Sequence, residues 1–215
     1  MQEMLAGASA DEIKHHKIEI LAGLTRLRQI CNTPALFLED YTGDSGKMDS
    51  LFELLDTIRK KESRPLIFSQ FTSMLNLIEQ ELEKKGLSHF KITGQTPSDK
   101  RQEMVNLFNQ GEKDCFLISL KAGGTGLNLT GADTVILCDL WWNPAVEMQA
   151  IGRSHRLGQT KQVDVYRLIT LGTIEEKIQE LRESKKELFN TVLEGQESRS
   201  NLRSVDDIKE ILGVE

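Results

Sequence analysis

Apolar positions along the chain alternate between helical spacing and short uninterrupted runs. Helical spacing predicts amphipathic helices over residues 11–31, 48–58 and 74–85, after residue 96 and after residue 173. The uninterrupted runs predict buried strands at residues 65–69, 90–93, 115–119, 134–138 and 163–169. Because short strands alternate with helices, the pattern predicts an α/β fold with a parallel sheet covered by helices on both faces.

Turn and cap signals divide the chain into three parts. Residues 39–46 are polar and turn-rich, which indicates a linker after the first helix. Thr96 and Pro97 predict the cap and the first residue of a helix, and Thr173 with Glu176 forms a capping-box pattern before the last long helix. We therefore predict a helical segment and linker over 1–46, a sheet-containing lobe over 47–170, and a long helix with a tail over 171–215.

The composition is that of an ordinary globular protein. Hydrophobic residues make up 39% of the chain and charged residues 28%, and no apolar run approaches the roughly 18 residues of a membrane span. Three cysteines without metal-ligand spacing, and no basic segment at the start, indicate a reducing compartment. We expect an intracellular protein without a membrane partner, nuclear in a eukaryote or in the cytoplasm and nucleoid of a prokaryote. The net charge of −6 means that nucleic-acid binding would need a local basic face.

A glycine-rich segment follows the third predicted strand. Residues 119–129 contain Gly123, Gly124 and Gly126, which would let the backbone approach a polyanion closely. In an open parallel sheet, ligands bind beyond the carboxyl ends of the strands, and this segment lies at such an end. The alternative is a plain strand-to-helix turn, which needs only one or two glycines. The additional glycine favours a functional loop.

The chain lacks the two standard phosphate-binding motifs. Leu129 stands where a dinucleotide-binding fingerprint needs glycine, and Gly46-Lys47 is not followed by the serine or threonine of a P-loop. Asp139 ends an apolar strand, but a leucine follows it, so a strand-end residue is favoured over a magnesium ligand. We predict no metal site, and no complete site for a magnesium–nucleotide complex, within the chain.

A glutamine and two arginines recur at helical spacing near residue 150. Gln149, Arg153 and Arg156 are four and three residues apart, so a helix ending at Gly158 would project all three from one face. Two guanidinium groups aimed together can neutralise charge on a transferring phosphoryl group, as an arginine finger does. The alternative is a solvated charged face, against which the flanking residues argue because they are not of the solubilising kind.

Two adjacent tryptophans, Trp141 and Trp142, follow the fourth predicted strand and lead into Asn143-Pro144. Core packing explains one buried tryptophan. A second tryptophan in the same turn is better explained by stacking on nucleic acid or wedging against it.

Together these segments resemble the C-terminal RecA-like lobe of Swi/Snf-type DNA translocases, within the superfamily 2 helicases. The resemblance covers most of the chain, in order, and rests on residues 24–32, 66–71, 92–96 with Arg101, 122–129, 142–144, 149–159 and 173–178. The last of these resembles the start of a brace helix that follows the lobe. Two departures are Thr33, where histidine is usual, and Gly152, where many relatives carry aspartate.

The resemblance implies a role for each matching residue. Arg153 and Arg156 would reach the γ-phosphate of ATP with support from Gln149, and Gly124 and Gly126 would line the interface between two lobes. The residues implied to contact DNA are Ser69, Gln70, Thr93, Gly94, Ser119, Lys121 and Trp142.

The implied protein is an ATP-dependent double-stranded DNA translocase, of which this chain would be the C-terminal half. ATP with Mg²⁺ would be held mainly by an absent N-terminal lobe, so the isolated chain would be inactive. The implied partners are double-stranded DNA, that lobe, and a DNA-bound protein as a further candidate substrate. Two alternatives stay open. One is a regulatory nucleic-acid-binding module with a degenerate RecA-like lobe, and the other is a strand-separating helicase.

Overall fold

Five short strands form one parallel sheet in the computed structural model, which describes residues 17–123, 126–141, 144–153 and 162–192. The strands are β1 (Pro65–Ser69), β2 (His89–Ile92), β3 (Cys115–Ser119), β4 (Thr134–Leu137) and β5 (Asp164–Arg167). Their order across the sheet is β2-β3-β1-β4-β5, and every neighbouring pair is parallel. All five predicted strands are present, so the predicted α/β fold is confirmed.

Helices connect the strands and flank the sheet. They are α1 (Lys17–Asn32), α2 (Gly46–Lys60), α3 (Thr72–Lys84), α4 (Ser98–Asn109), α5 (Leu120–Gly123), α6 (Pro144–Ile151) and α7 (Ile174–Val192), with a 3-10 turn at Pro34–Leu36. The first predicted helix is confirmed from Lys17 onward, and its residues 11–16 lie outside the described residues. None of the helices in the described ranges is long and apolar enough to cross a membrane.

The three central strands, β1, β3 and β4, are buried along their whole length, as continuous apolar strands require. Alternate residues such as Leu66 and Phe68 point to a core that includes Phe108 and Trp141. Their neighbours, such as Ile67, point to a second core formed with α2 and α3. The edge strands β2 and β5 are only partly buried. The accessible parts of the sheet are therefore these edges and the loops after its strands.

The start of α4 differs from the sequence prediction. Pro97 occupies the cap position instead of the first helical position, and the helix begins at Ser98. The Thr96 hydroxyl does not cap the helix, because it accepts a 3.0 Å hydrogen bond from the Thr93 amide. The predicted cap is therefore wrong by one residue, and Thr96 closes the loop after β2 instead.

The capping residues predicted for α7 are used one residue earlier than the motif expects. The Thr173 hydroxyl accepts from the Glu175 amide at 3.2 Å, and the Glu176 carboxylate accepts from the Gly172 amide at 2.8 Å. The same side chains therefore satisfy free amides at the start of the helix, with a shifted pairing.

Candidate functional site

Several of the residues predicted to carry function, among those that the structure describes, lie at the carboxyl edge of the sheet. Because the strands are parallel, the loops after β1, β2 and β3 meet at this edge, and Ser69 lies beside Ser119 in the strand register. The loop after β4 carries Asp139 and Trp141 to the same edge. Ligands of open parallel sheets bind there.

Asp139 organises the residues that follow β1. Its carboxylate accepts hydrogen bonds from the Ser69 hydroxyl, from the Gln70 backbone amide at 3.2 Å and from Gln70 Nε2 at 2.7 Å. Ser69 and Asp139 are both buried. Asp139 is therefore a structural acceptor just beyond β4, in agreement with the prediction. The Ser69 hydroxyl lies inside this network and not at the surface, so the expected contact of Ser69 with DNA stays a prediction.

Arg28 of α1 completes the network, although helical spacing alone does not distinguish it from an exposed helix arginine. Arg28 Nη1 donates to Gln70 Oε1 at 2.9 Å, and Nη2 donates to the Leu140 carbonyl oxygen. Gln70 Nε2 also donates to Leu140 at 3.0 Å. Burial lowers the pKa of the Arg28 guanidinium, and the nearby Asp139 opposes that shift. The Gln70 amide is thus held in one orientation from both ends.

Arg101 of α4 holds the loop after β2. Its guanidinium donates to the carbonyl oxygens of Thr93 at 3.2 Å, Gly94 at 3.1 Å and Thr96 at 2.7 Å. Gly94 is exposed and Thr93 is half-buried. The structure therefore brings Thr93 and Gly94 to the carboxyl edge in a loop of fixed shape, with its backbone open to solvent.

Ser119 begins the glycine-rich segment. It is buried, and its hydroxyl has no hydrogen-bond partner among the described residues. Buried hydroxyl groups usually have a hydrogen-bond partner. The Ser119 hydroxyl is therefore still able to form a hydrogen bond at the carboxyl edge of the sheet. Lys121 follows on α5, and Gly124 lies outside the described residues.

A backbone hydrogen bond joins the glycine-rich segment to the residues after α6. The Leu129 amide donates to the Arg153 carbonyl oxygen at 3.0 Å. Three residues before this contact, Gly126 has φ of +57°, and no atom of the described residues lies within 4 Å of the position that a Cβ would take. The conformation favours glycine, and the open space leaves the backbone accessible. Gly126 and Arg153 therefore belong to one connected region.

The helix that carries Gln149 is shorter than the sequence predicts. α6 ends at Ile151, where the Gly152 amide still bonds to Met148 at 2.9 Å but the Arg153 amide bonds to Ala150 at 3.1 Å. This change from four-residue to three-residue spacing tightens the last turn. Glycine is a poor helix former, which agrees with an end at this point.

As a consequence, Gln149 and Arg153 do not share one exposed helix face. Gln149 is exposed, whereas Arg153 is only 5% exposed. The predicted geometry is wrong, because it required a helix that continues through Arg153. Arg156 and the predicted helix end at Gly158 lie outside the described residues.

Trp141 is a core residue. It is 2% exposed, and its ring meets Phe68 edge-on, with ring centroids 6.2 Å apart. Core packing therefore explains one of the two tryptophans, as expected. Trp142, the predicted nucleic-acid contact, lies outside the described residues.

Lys47 is engaged in a buried ion pair that the sequence did not indicate. Its Nζ lies 2.6 Å from Glu175 Oε2 and also donates to Asn32 Oδ1 at 3.0 Å and to the Cys138 carbonyl oxygen at 3.1 Å. The side chains of the pair are 3% and 0% exposed. A lysine enclosed in this way cannot reach a phosphate, which supports the conclusion that Gly46-Lys47 is not a P-loop.

Comparison with known proteins agrees with this arrangement. Residues 46–158, more than half of the chain, match the family described as helicase conserved C-terminal domain. The mouse SWI/SNF-related matrix-associated actin-dependent regulator of chromatin subfamily A member 1 is 42% identical over 194 residues, which are 84% of this chain and 18% of that protein. The ISWI chromatin-remodeling complex ATPase ISW2 of Saccharomyces cerevisiae is 39% identical over 212 residues, which cover 91% of this chain and 19% of that protein.

A solved structure shares the fold over nearly the whole chain. It is the Sulfolobus solfataricus SWI2/SNF2 ATPase core in complex with double-stranded DNA, and it is 32% identical with a TM-score of 0.75. The superposition covers 94% of this chain and 43% of the archaeal chain. The chain thus spans about a fifth of the length of the two relatives and less than half of this structure.

Proposed function

Since the chain belongs to the helicase conserved C-terminal domain family, in its Swi/Snf-type group, we propose that it is the second RecA-like lobe of an ATP-dependent double-stranded DNA translocase. The observation that carries the proposal is the hydrogen bond from Leu129 to Arg153, which joins the glycine-rich loop to the arginine-bearing turn. The lobe would comprise residues 47–170. A helical segment over 1–46 would precede it, and a brace helix with a tail over 171–215 would follow.

ATP and Mg²⁺ would be held mainly by a first lobe, and the described residues of this chain fit a supporting role. Lys47 is enclosed by Glu175, so it cannot serve as a phosphate-binding lysine. Gly126 has no Cβ, and no described atom fills the space beside its backbone, so a phosphate group would be able to approach closely. The hydrogen bond from Leu129 connects this loop to Arg153. ATP would supply the phosphoryl group that is transferred to water.

Arg153 and Arg156 would neutralise the charge that develops on that phosphoryl group, and Gln149 would support them. Gln149 is already exposed, whereas Arg153 is buried in the isolated lobe. We therefore expect Arg153 to turn outward when the two lobes close. Gly124 and Gly126 would line the closed interface.

The carboxyl edge of the sheet would form part of a track for one DNA strand, and cycles of lobe closure would move the protein along it. Gly94 is exposed, and Arg101 holds the loop at Thr93 and Gly94 in shape, as a surface for a phosphate backbone requires. The DNA-bound state of the archaeal relative supports this assignment. The proposed track consists of Ser69, Gln70, Thr93, Gly94, Ser119, Lys121 and Trp142.

A second candidate is a regulatory nucleic-acid-binding module whose lobe no longer supports catalysis. The burial of Arg153 is the observation that favours it, because a catalytic arginine must reach its phosphate. A third, a strand-separating helicase, would use the same lobe and is distinguished by an unwinding assay on the full-length protein.

The test compares ATP hydrolysis by this chain alone with hydrolysis by the full-length protein that contains it, with and without duplex DNA. We expect DNA-stimulated hydrolysis only in the full-length protein. Arg153→Ala and Arg156→Ala should each lower its rate by about 10³-fold or more, as loss of an arginine finger does. Arg59→Ala, at an exposed position of α2, is the matched control. Unchanged rates in both finger variants would favour the regulatory module, and hydrolysis by this chain alone would contradict a shared site.

A further inference from the structure

The long helix α7 buries two side chains of opposite charge on one face. Glu175 is 0% exposed, and the side chain of Arg182 is 9% exposed. They are seven residues apart, which is close to two helical turns, and the buried Ile178 and Leu181 lie on the same side. The face that α7 turns toward the lobe is therefore charged as well as apolar.

Each charge pairs with a different helix of the lobe. Glu175 pairs with Lys47 of α2 at 2.6 Å. Arg182 Nη2 lies 2.6 Å from Glu147 Oε2 of α6. The other Glu147 oxygen accepts from Arg167 Nε at the end of β5. Glu147 is 2% exposed, so this carboxylate is enclosed between two arginines from different elements.

Arg182 does not use all of its hydrogen-bond donors within the described residues. Arg182 Nε and Nη1 are buried and have no hydrogen-bond partner among the described residues. Burying a guanidinium with unpaired donors is unfavourable, and buried ion pairs in general add little net stability. The pairing of Arg182 with Glu147 therefore calls for an explanation beyond stability.

The position of Glu147 supplies that explanation. It lies on α6, two residues before the exposed Gln149 and six before Arg153. Among the described side chains of this eight-residue helix, Glu147 is the one that is both charged and buried. Its ion pairs with Arg182 and Arg167 therefore fix the rotation of α6 about its axis. A rotation of α6 would move Gln149 directly and Arg153 through the turn at Gly152.

We propose that Glu147, clamped by Arg182 and Arg167, is a positioning residue that sets α6 so that Gln149 and Arg153 reach the reacting phosphoryl group. This inference rests on the proposed ATPase function. In this proposal, α7 packs against the lobe and also, through Arg182, helps to position Arg153. Displacements near 1 Å at a reacting group can lower a rate about 10²-fold, so a small rotation is sufficient.

The experiment measures steady-state ATP hydrolysis by the full-length protein with saturating duplex DNA. Glu147→Gln keeps the shape of the side chain and removes its charge, and Arg182→Gln removes the partner charge. We expect both to lower kcat by about tenfold to 10²-fold, with the KM values for ATP and DNA within about twofold of the wild type. Arg182→Lys, which keeps the charge, should recover part of the loss.

The matched control is Glu175→Gln, which breaks the other buried ion pair of α7. That pair connects α7 to α2 and not to α6. Circular dichroism melting identifies a temperature at which all variants are folded, and kcat is compared there. We expect Glu175→Gln to keep kcat within about twofold. If kcat falls as much in Glu175→Gln as in Glu147→Gln and Arg182→Gln, the effect is structural and the inference is overturned. The same conclusion follows if kcat falls only in proportion to the unfolded fraction.

Arg153→Ala separates this inference from the proposed function. If Arg153→Ala is inactive while Glu147→Gln and Arg182→Gln turn over like the wild type, the positioning role is wrong and the proposed function stands. If Arg153→Ala hydrolyses ATP normally, the proposed function fails first, and the positioning role fails with it.

Discussion

Lys47 Nζ of α2 and the Glu175 carboxylate of α7 form a buried ion pair that connects residues 128 positions apart in the chain. The same ammonium group donates to Asn32 at the end of α1 and to Cys138 just after β4. One lysine therefore ties the flanking helices α1 and α7 to the sheet. The flanking segments are thus connected to the lobe by specific polar contacts and not only by apolar packing.

Removing one partner of this pair should destabilise the chain strongly. Glu175→Gln leaves the Lys47 charge buried without its counterion, and we expect a loss of about 3–5 kcal/mol in the free energy of unfolding. Urea denaturation of the chain followed by circular dichroism measures it. The control is Glu81→Gln, because Glu81 pairs with Lys84 at the surface, where the expected change is below about 1 kcal/mol. A loss of the same size in both variants would show that burial of the pair is unimportant.

The thiol of Cys115 should make stability fall at alkaline pH. Burial raises its pKa to about 12 from an ordinary value of 9.0. Because the unfolded thiol releases its proton above pH 9 while the folded one keeps it, folding is disfavoured as pH rises from 9 toward 12. Between pH 8 and pH 10, the stability difference between wild type and Cys115→Ala should shrink by about 1 kcal/mol.

Urea unfolding at pH 8, 9 and 10 tests this expectation. Val135→Ala is the control, because it also removes a fully buried side chain but has no ionisable group. Its difference from the wild type should stay constant with pH. A Cys115→Ala difference that is equally constant would mean that the thiol does not contribute to the alkaline transition.

The three central strands β1, β3 and β4 could be predicted from sequence because strands buried on both faces are almost continuously apolar. The run at residues 65–69 is the clearest case, and its bounds agree with β1. The charged contacts that organise the site could not be predicted in this way. Arg28 and Arg182 lie in amphipathic helices, where a charged residue normally faces solvent. Their burial depends on partners far along the chain, which local periodicity does not reveal.

The end of α6 is a second point where local pattern was insufficient. The spacing of Gln149 and Arg153 satisfied a helical template, but Gly152 lies at a tightened last turn. The sequence selected these residues by their spacing, and their role stays a prediction. The structure shows that Gln149 and Arg153 are oriented differently from what the spacing predicted. Spacing predicts which residues are near one another, whereas hydrogen bonds such as that from Leu129 to Arg153 decide how they are presented.

Lys121 should bind one phosphate group of DNA in the full-length protein. Removing a cation that neutralises a phosphate lowers the salt dependence of the binding constant, so Lys121→Ala should reduce the slope of log K against log salt by about 1. Fluorescence anisotropy with a labelled duplex between 50 and 200 mM salt (about the range in which the effect is large) measures it. Lys60→Ala is the control, because Lys60 is exposed at the end of α2, toward the opposite edge of the sheet. Identical slopes for Lys121→Ala and the wild type would remove Lys121 from the track.

Gly126 should be required for activity beyond its effect on stability. Its φ of +57° disfavours any residue with a Cβ, so Gly126→Ala should lower the free energy of unfolding by about 1–2 kcal/mol. Gly86, which follows α3, is a close match, with φ of +67° and equally open surroundings. Gly86→Ala should therefore lose a similar amount in urea denaturation. The two variants should differ in DNA-stimulated ATP hydrolysis by the full-length protein. We expect only Gly126→Ala to be slower, by about tenfold or more, because only its loop lies at the proposed lobe interface. Equal hydrolysis rates at equal stability would contradict the placement of Gly126 beside the nucleotide.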